Sequence, residues 1–186
     1  TTQTVDIASA DSVPVRMVDP SGDSDALSVN LTSSAGDKAI AQTVGTLDIA
    51  DTIETLNLNA TGMKTGTAAV QKTLTTLTAD NSLTTLNISG SDKLSLGTIT
   101  AAKLATINAS THTGDLTIGN GAASLAQTIT TGSGNDTITM GANLTAADVI
   151  DGGGNAVTAA GTTGKDKLTA SGNQGSAVTA AALQIS

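Results

Sequence analysis

The residues of this chain best suited to chemistry are glycines and aspartates at fixed spacing. In Thr131-Gly132-Ser133-Gly134-Asn135-Asp136-Thr137-Ile138-Thr139, Gly132, Gly134 and Asp136 follow one another at intervals of two, ahead of an aliphatic residue. Thirty residues on, Gly161-Thr162-Thr163-Gly164-Lys165-Asp166-Lys167-Leu168 keeps a glycine, the aspartate and the aliphatic position. Asp148-Val149-Ile150-Asp151-Gly152-Gly153-Gly154 reads as a further turn, contributing Asp151 and Gly153, and Gly90-Ser91-Asp92-Lys93-Leu94 is a weaker echo. Glycines admit positive φ, which lets successive carbonyls point into a corner. With aspartate beside them, two stacked corners can form an oxygen cage suited to Ca²⁺. The plainer alternative is a corner that only turns the chain, with Asp136 accepting backbone N–H bonds. Asp19-Pro20-Ser21-Gly22-Asp23-Ser24-Asp25 poses the same choice between a calcium loop and a solvated acidic one.

Little else in the chain could do chemistry. His112 is the only histidine, and Ser110-Thr111-His112-Thr113-Gly114 reads as a solvated turn. One Arg, one Glu and no aromatic residue leave neither a nucleophilic triad nor a carboxylate pair with a sugar platform, so an enzyme is not expected. The net charge of −8, with no basic stripe and no ring to stack on a base, argues against nucleic acid. No apolar run approaches the ~20 residues that span a bilayer. With no cysteine, disulfides and thiolate metal sites are excluded. The first residue, Thr1, leads us to expect a processed form or a segment of something longer. Met17, Met63 and Met140 read as packing, and Asn-x-Ser/Thr triplets, as at Asn30 and Asn108, leave glycosylation open.

The elements that position the corners are announced by a repeat. Aliphatic pairs recur at Leu47/Ile49, Leu56/Leu58, Leu77/Ala79, Leu86/Ile88, Ile107/Ala109 and Leu116/Ile118, in steps of 9, 21, 9, 21 and 9 residues. With a one-residue slip near residue 137 the pattern continues to Leu168/Ala170. Period-two alternation in phrases such as Leu83-Thr-Thr-Leu-Asn-Ile marks strands. A fixed period of this length points to stacked turns that bury their apolar faces on one another. Fifteen of the sixteen acids are Asp, which favours turns over helices. Turns of roughly 30 residues give a perimeter near 100 Å, enough for about three short strands, with Lys93–Leu96 or Ala69–Val70 as the third. A leucine-rich repeat is disfavoured because a 9-residue step cannot hold its non-strand segment. The expected fold is therefore all-β, a right-handed parallel β-solenoid. Residues 1–43 form a cap or connecting segment, 44–133 the regular repeats, and 134–186 the Gly/Asp turns and the end of the same coil.

The Thr131–Thr139 segment resembles the RTX nonapeptide G-G-x-G-x-D-x-U-x with its first Gly replaced by Thr131. Phrases such as Leu83-Thr-Thr-Leu-Asn-Ile-Ser-Gly and Gly132-Ser-Gly-Asn-Asp-Thr-Ile-Thr are similar to the repeat regions of RTX-type bacterial surface-layer proteins, over about residues 44–170. That resemblance implies a secreted, calcium-dependent solenoid that assembles into a lattice on the cell exterior. The candidate ligand residues are Gly132, Gly134, Asp136, Asp151, Gly153 and Asp166, with Asp19, Asp23, Asp25 and Asp92 as weaker ones.

Open strand edges at the ends of a solenoid template pairing with another copy. The expected function is thus a structural, self-assembling surface protein, with copies of itself as partner and cell-surface polysaccharide as a further candidate. The alternative is an adhesin or other binding module of a larger secreted protein. A Thr-x-Thr array could also order water as an ice-binding face does, but Asn or Asp fills the second position in four of the five rungs Thr46/Asp48, Thr55/Asn57, Thr76/Thr78, Thr85/Asn87 and Thr106/Asn108. Stacked Asn side chains can equally bond one another.

Overall fold

The structure is a computed structural model that describes residues 2–8, 10–15, 22, 24–32, 41–49, 52–61, 71–79, 81–119, 125–154, 164–170 and 183–184. Among these residues, period-two alternation becomes strand. In chain order they are β1 (Thr2–Ile7), β2 (Ala10–Val15), β3 (Ala26–Leu31), β4 (Gln42–Ile49), β5 (Thr55–Ala60), β6 (Gln71–Ala79), β7 (Thr85–Gly90), β8 (Lys93–Ala101), β9 (Thr106–His112), β10 (Leu116–Gly119), β11 (Thr128–Thr130), β12 (Thr137–Gly141), β13 (Val149–Asp151), β14 (Lys167–Ala170) and β15 (Leu183–Gln184). No helix occurs among the described residues. Odd-numbered strands form an eight-stranded sheet and even-numbered strands a seven-stranded one. All pairings are parallel, as in β5 on β7 and β6 on β8. Among the described residues the chain crosses from one sheet to the other and back in each turn, a solenoid-like arrangement with two strands per turn.

Parallel register stacks like on like. In the odd-numbered sheet one inward column runs Leu27, Leu56, Leu86, Ile107, Ile129, Ile150. Its counterpart in the even-numbered sheet runs Val44, Leu74, Leu96, Ile118, Ile138, Leu168. All but Leu168, which packs against them, are buried in one core. Ile53, Leu83 and Leu104 close the edge where the chain enters the odd-numbered sheet. Because every layer repeats, small aliphatic side chains fill the space without aromatic rings.

Turn length differs from the uniform expectation. Leu47 pairs with Leu77 and Leu56 with Leu86, which is the full period of the repeat. Ile107, however, stands directly on Leu86, the aliphatic pair immediately before it, and Ile99 stands on Leu77. The reason is β8: Leu94, Leu96, Ile99 and Ala101 all face inward, so the longer gap between aliphatic pairs holds a full strand of the even-numbered sheet. Lys93–Leu96 is thus one of two strands per turn and not a third; Ala69–Val70 lies outside the described residues. Near residue 137 the slip is a shortened turn in which Thr117 pairs with Thr137, followed by an irregularity between Thr139 and Gly141.

The outward columns separate by sheet. Thr55, Thr85, Thr106 and Thr128 form one ladder beside Asn57, Asn87 and Asn108. The other sheet carries Thr46, Thr76 and Thr98 beside Asp48, Thr78 and Thr100. Asn87 Nδ2 donates to Asn57 Oδ1 at 2.9 Å, and Asn30 Nδ2 donates to Asp6 Oδ1 at 2.6 Å, so amides bond from rung to rung. Within the 1–43 segment, expected as a cap or connection, β1 to β3 belong to the same two sheets.

Candidate metal corners

The Gly/Asp segments lie along one edge of the coil, where the chain leaves the odd-numbered sheet for the even-numbered one. Ser91-Asp92 lies ahead of β8, Thr113-Gly114-Asp115 ahead of β10, Thr131 to Asp136 ahead of β12, and Gly164-Lys165-Asp166 ahead of β14. Continuing the strand register through these corners sets Asn135 beside Asp115 and Asp166 beside Asp136.

Hydrogen bonds follow that order. Asn135 N–H donates to Asp115 Oδ1 at 3.0 Å, Leu116 N–H to Asp136 Oδ1 at 2.9 Å, and Asp136 N–H to Asp166 Oδ1 at 2.8 Å. Each of these carboxylates spends one oxygen on the backbone of a neighbouring turn. Asp115 places its other oxygen 2.6 Å from Lys93 Nζ. Asp136 Oδ2, Asp166 Oδ2 and Asn135 Oδ1 are buried and accept no hydrogen bond.

The electrostatics separate these acids. Burial pushes the Asp136 carboxyl above its ordinary range; the Leu116 amide and the nearby Thr131 hydroxyl, which itself donates to Gly152 O, oppose this, and the Asp166 charge adds to it. Burial likewise raises Asp166 against the Asp136 amide. For Asp115 burial acts upward, but Lys93 and the Asn135 amide outweigh it and hold the carboxyl below the usual range. Two carboxyls with raised values and buried, orphaned oxygens form a locus where a hard cation would stabilise the charged forms.

The remaining candidates scatter. Gly132 and Gly153 sit in stacked turns, with Gly154 N–H donating to Gly132 O at 2.7 Å. A Cβ at Gly134 would strike the Gly114 carbonyl, so the close approach of the two turns requires glycine there. Asp151 turns back on its own loop, Oδ1 accepting from Gly153 N–H at 2.9 Å. Asp25 is on the opposite edge, where its N–H donates to Glu54 Oε2 at 2.6 Å. Asp19 and Asp23 lie outside the described residues. Among the described residues, no three acidic or histidine side chains converge in a way that could hold a metal. The Asp136–Asp166 locus therefore relies on Asn135 and backbone oxygen as well as carboxylate.

Three residues were not expected here. His112 is not a solvated turn residue: it ends β9, is 1% exposed, and neither ring nitrogen makes a hydrogen bond. Burial lowers its pKa, opposed by the nearby Ser89 and Asp92 carbonyls and the Asp136 and Asp92 carboxylates. Lys72 is fully buried, donating to Gln42 Oε1 at 2.6 Å and lying 3.9 Å from Asp92 Oδ2. Asn135 supplies the third orphaned oxygen. Alternation could have found Lys72, which shares the inward parity of Leu74; nothing local marks His112.

No protein-family model, curated protein or solved structure matches the chain.

Proposed function

We propose that this chain is a structural, self-assembling protein of the bacterial cell exterior, a non-enzymatic RTX-like solenoid stiffened by Ca²⁺ and packing against copies of itself. The observation that carries the reading is the set of orphaned oxygens on Asp136, Asp166 and Asn135 in adjacent turns. Ca²⁺ takes six to eight oxygen ligands, and these three side chains with corner carbonyls and water would supply them. Bound there, the ion would neutralise the two carboxylates and tie successive turns together. The strands at either end of each sheet, β1 and β15, β2 and β14, pair on one side only among the described residues, which leaves backbone for a neighbouring copy. We take the coil as right-handed, since parallel crossovers in L-chains almost always are.

Electron microscopy with light scattering, in Ca²⁺ and then in excess chelator, tests this. Arrays or filaments that disperse on chelation support it. A monomer indifferent to both removes self-assembly and leaves the binding-module reading, for which the outward Thr ladders offer a regular polar surface.

A further inference from the structure

Lys72 occupies a place made for an aliphatic side chain. It lies on β6 in register with Leu94 of β8, which in turn pairs with Leu116 of β10. Both leucines are buried in the core, and Lys72 enters the same interior with no exposed surface. Asp92 comes to it from the next turn. Ser91 and Asp92 N–H groups both donate to Ala60 O, at 3.2 and 3.0 Å, which fixes the corner ahead of β8. The two side chains meet at 3.9 Å, each 0% exposed, and neither Asp92 oxygen accepts a hydrogen bond.

The carboxylate of this pair is poorly compensated, while the Lys72 ammonium also donates to Gln42 Oε1 at 2.6 Å. Desolvating two ions costs more than a 3.9 Å contact without supporting hydrogen bonds to the carboxylate returns. The pair nonetheless holds an amine nitrogen and a carboxyl group together in a closed interior, and these are the two reactants of amide formation. Burial pulls the Lys72 ammonium below the usual lysine range, against the Asp92 charge. Fixed proximity then replaces the entropy of a bimolecular encounter.

We propose that Lys72 and Asp92 condense into an intramolecular isopeptide bond that staples one turn of the coil to the next. The Lys72 nitrogen lone pair attacks Asp92 Cγ, forming a C–N bond. The tetrahedral intermediate then expels one Asp92 oxygen, which leaves as water with two of the protons that the Lys72 nitrogen carried. Nothing is oxidised or reduced, and no co-reactant is needed. The flexible four-carbon lysine stem closes the gap to the ~1.33 Å of an amide C–N bond. The product is a neutral amide where two charges stood. In a chain without cysteine it provides the covalent cross-link that a disulfide cannot.

The test is the intact mass of the purified full chain under denaturing conditions, followed by peptide mapping. The expected result is a mass one water below the sequence mass and a branched peptide joining the Lys72 and Asp92 segments. Lys72→Arg and Asp92→Ala each restore the full mass. A succinimide at Asp151-Gly152 would also remove one water, but hydroxylamine cleaves it and leaves an isopeptide intact. Full sequence mass in the wild-type protein, with separate Lys72 and Asp92 peptides after the folded chain has been incubated at elevated temperature, overturns the proposal. The wild-type readout decides the matter even if the variants do not fold, and it is independent of calcium and of assembly.

Discussion

Asp136 and Asp166, in adjacent turns of the coil, are joined directly: the backbone N–H of Asp136 donates to Asp166 Oδ1 at 2.8 Å. Each carboxylate keeps a second, buried oxygen without a hydrogen bond. The turns that carry them are held together by this bond, by Lys167 N–H donating to Asp136 O at 2.8 Å and by the pairing of β12 with β14, and are opposed by two desolvated carboxyl groups, so the balance depends on what neutralises those groups.

Metal-free protein should show that opposition as a pH dependence. The Asp136 and Asp166 carboxyls hold protons more tightly when folded, so their contribution to stability is present below the ordinary value of 3.8 and is withdrawn as pH rises through their raised values. His112 acts oppositely: with its value lowered from 6.5, it withdraws stability as pH falls below that value. In chelator, Asp136→Asn should therefore melt higher than wild type near pH 7, with the difference shrinking toward about pH 4 as wild-type carboxyls take up protons. Melting curves of the two proteins across that range check this. A constant difference would assign the effect to packing.

Calcium should reverse the order. Wild type should gain about 2–3 kcal/mol at Ca²⁺ a hundredfold above the dissociation constant. Asp136→Asn, which keeps an oxygen to accept from Leu116 N–H, should gain little. Titration calorimetry together with melting temperature reads both effects, and equal gains in the two proteins would place the ion elsewhere.

Leu86→Ala should cost about 2–5 kcal/mol in chemical denaturation. Leu86 is fully buried between Leu56 and Ile107 in the stack, and neighbours above and below restrict collapse of the cavity. A loss under about 1 kcal/mol would mean that the core adjusts freely, contrary to a close-packed interior.

Two glycines with positive φ should respond differently to alanine. Gly90, at φ 116, would drive a Cβ into the Ala60 carbonyl, whereas Gly141, at φ 57, faces open space. Gly141→Ala should cost about 1 kcal/mol from backbone strain alone. Gly90→Ala should exceed it, because the collision with backbone adds to the strain. Paired denaturation curves give the order, and equal costs would argue against close stacking at that corner.

The strands and most of the core could be read directly from sequence, because alternation assigns each residue to a face whatever its neighbours. The stacking order could not. Whether Ile107 stands on Leu77 or Leu86 depends on how much chain the intervening turn consumes, and the start of β8 read as a third strand within a 30-residue turn. Likewise Thr46/Asp48 and Thr55/Asn57 read as one array but face outward from different sheets. At the corner, the Gly and Asp positions were legible from spacing, while the burial of His112 was not, since it is created by turns above and below it.

The unequal turns carry a consequence for how such a chain can vary. The long turn from Leu56 to Leu86 and the shorter ones from Leu86 to Ile107, Leu77 to Ile99 and Thr117 to Thr137 all deliver their strands in register to the same two sheets. The cross-section drawn by the paired strands is a fixed die, met alike by turns of either length. Insertions and deletions of that kind can then accumulate at the edges with the stack undisturbed, so the length of sequence between two rungs is free to diverge while their separation along the rod stays constant.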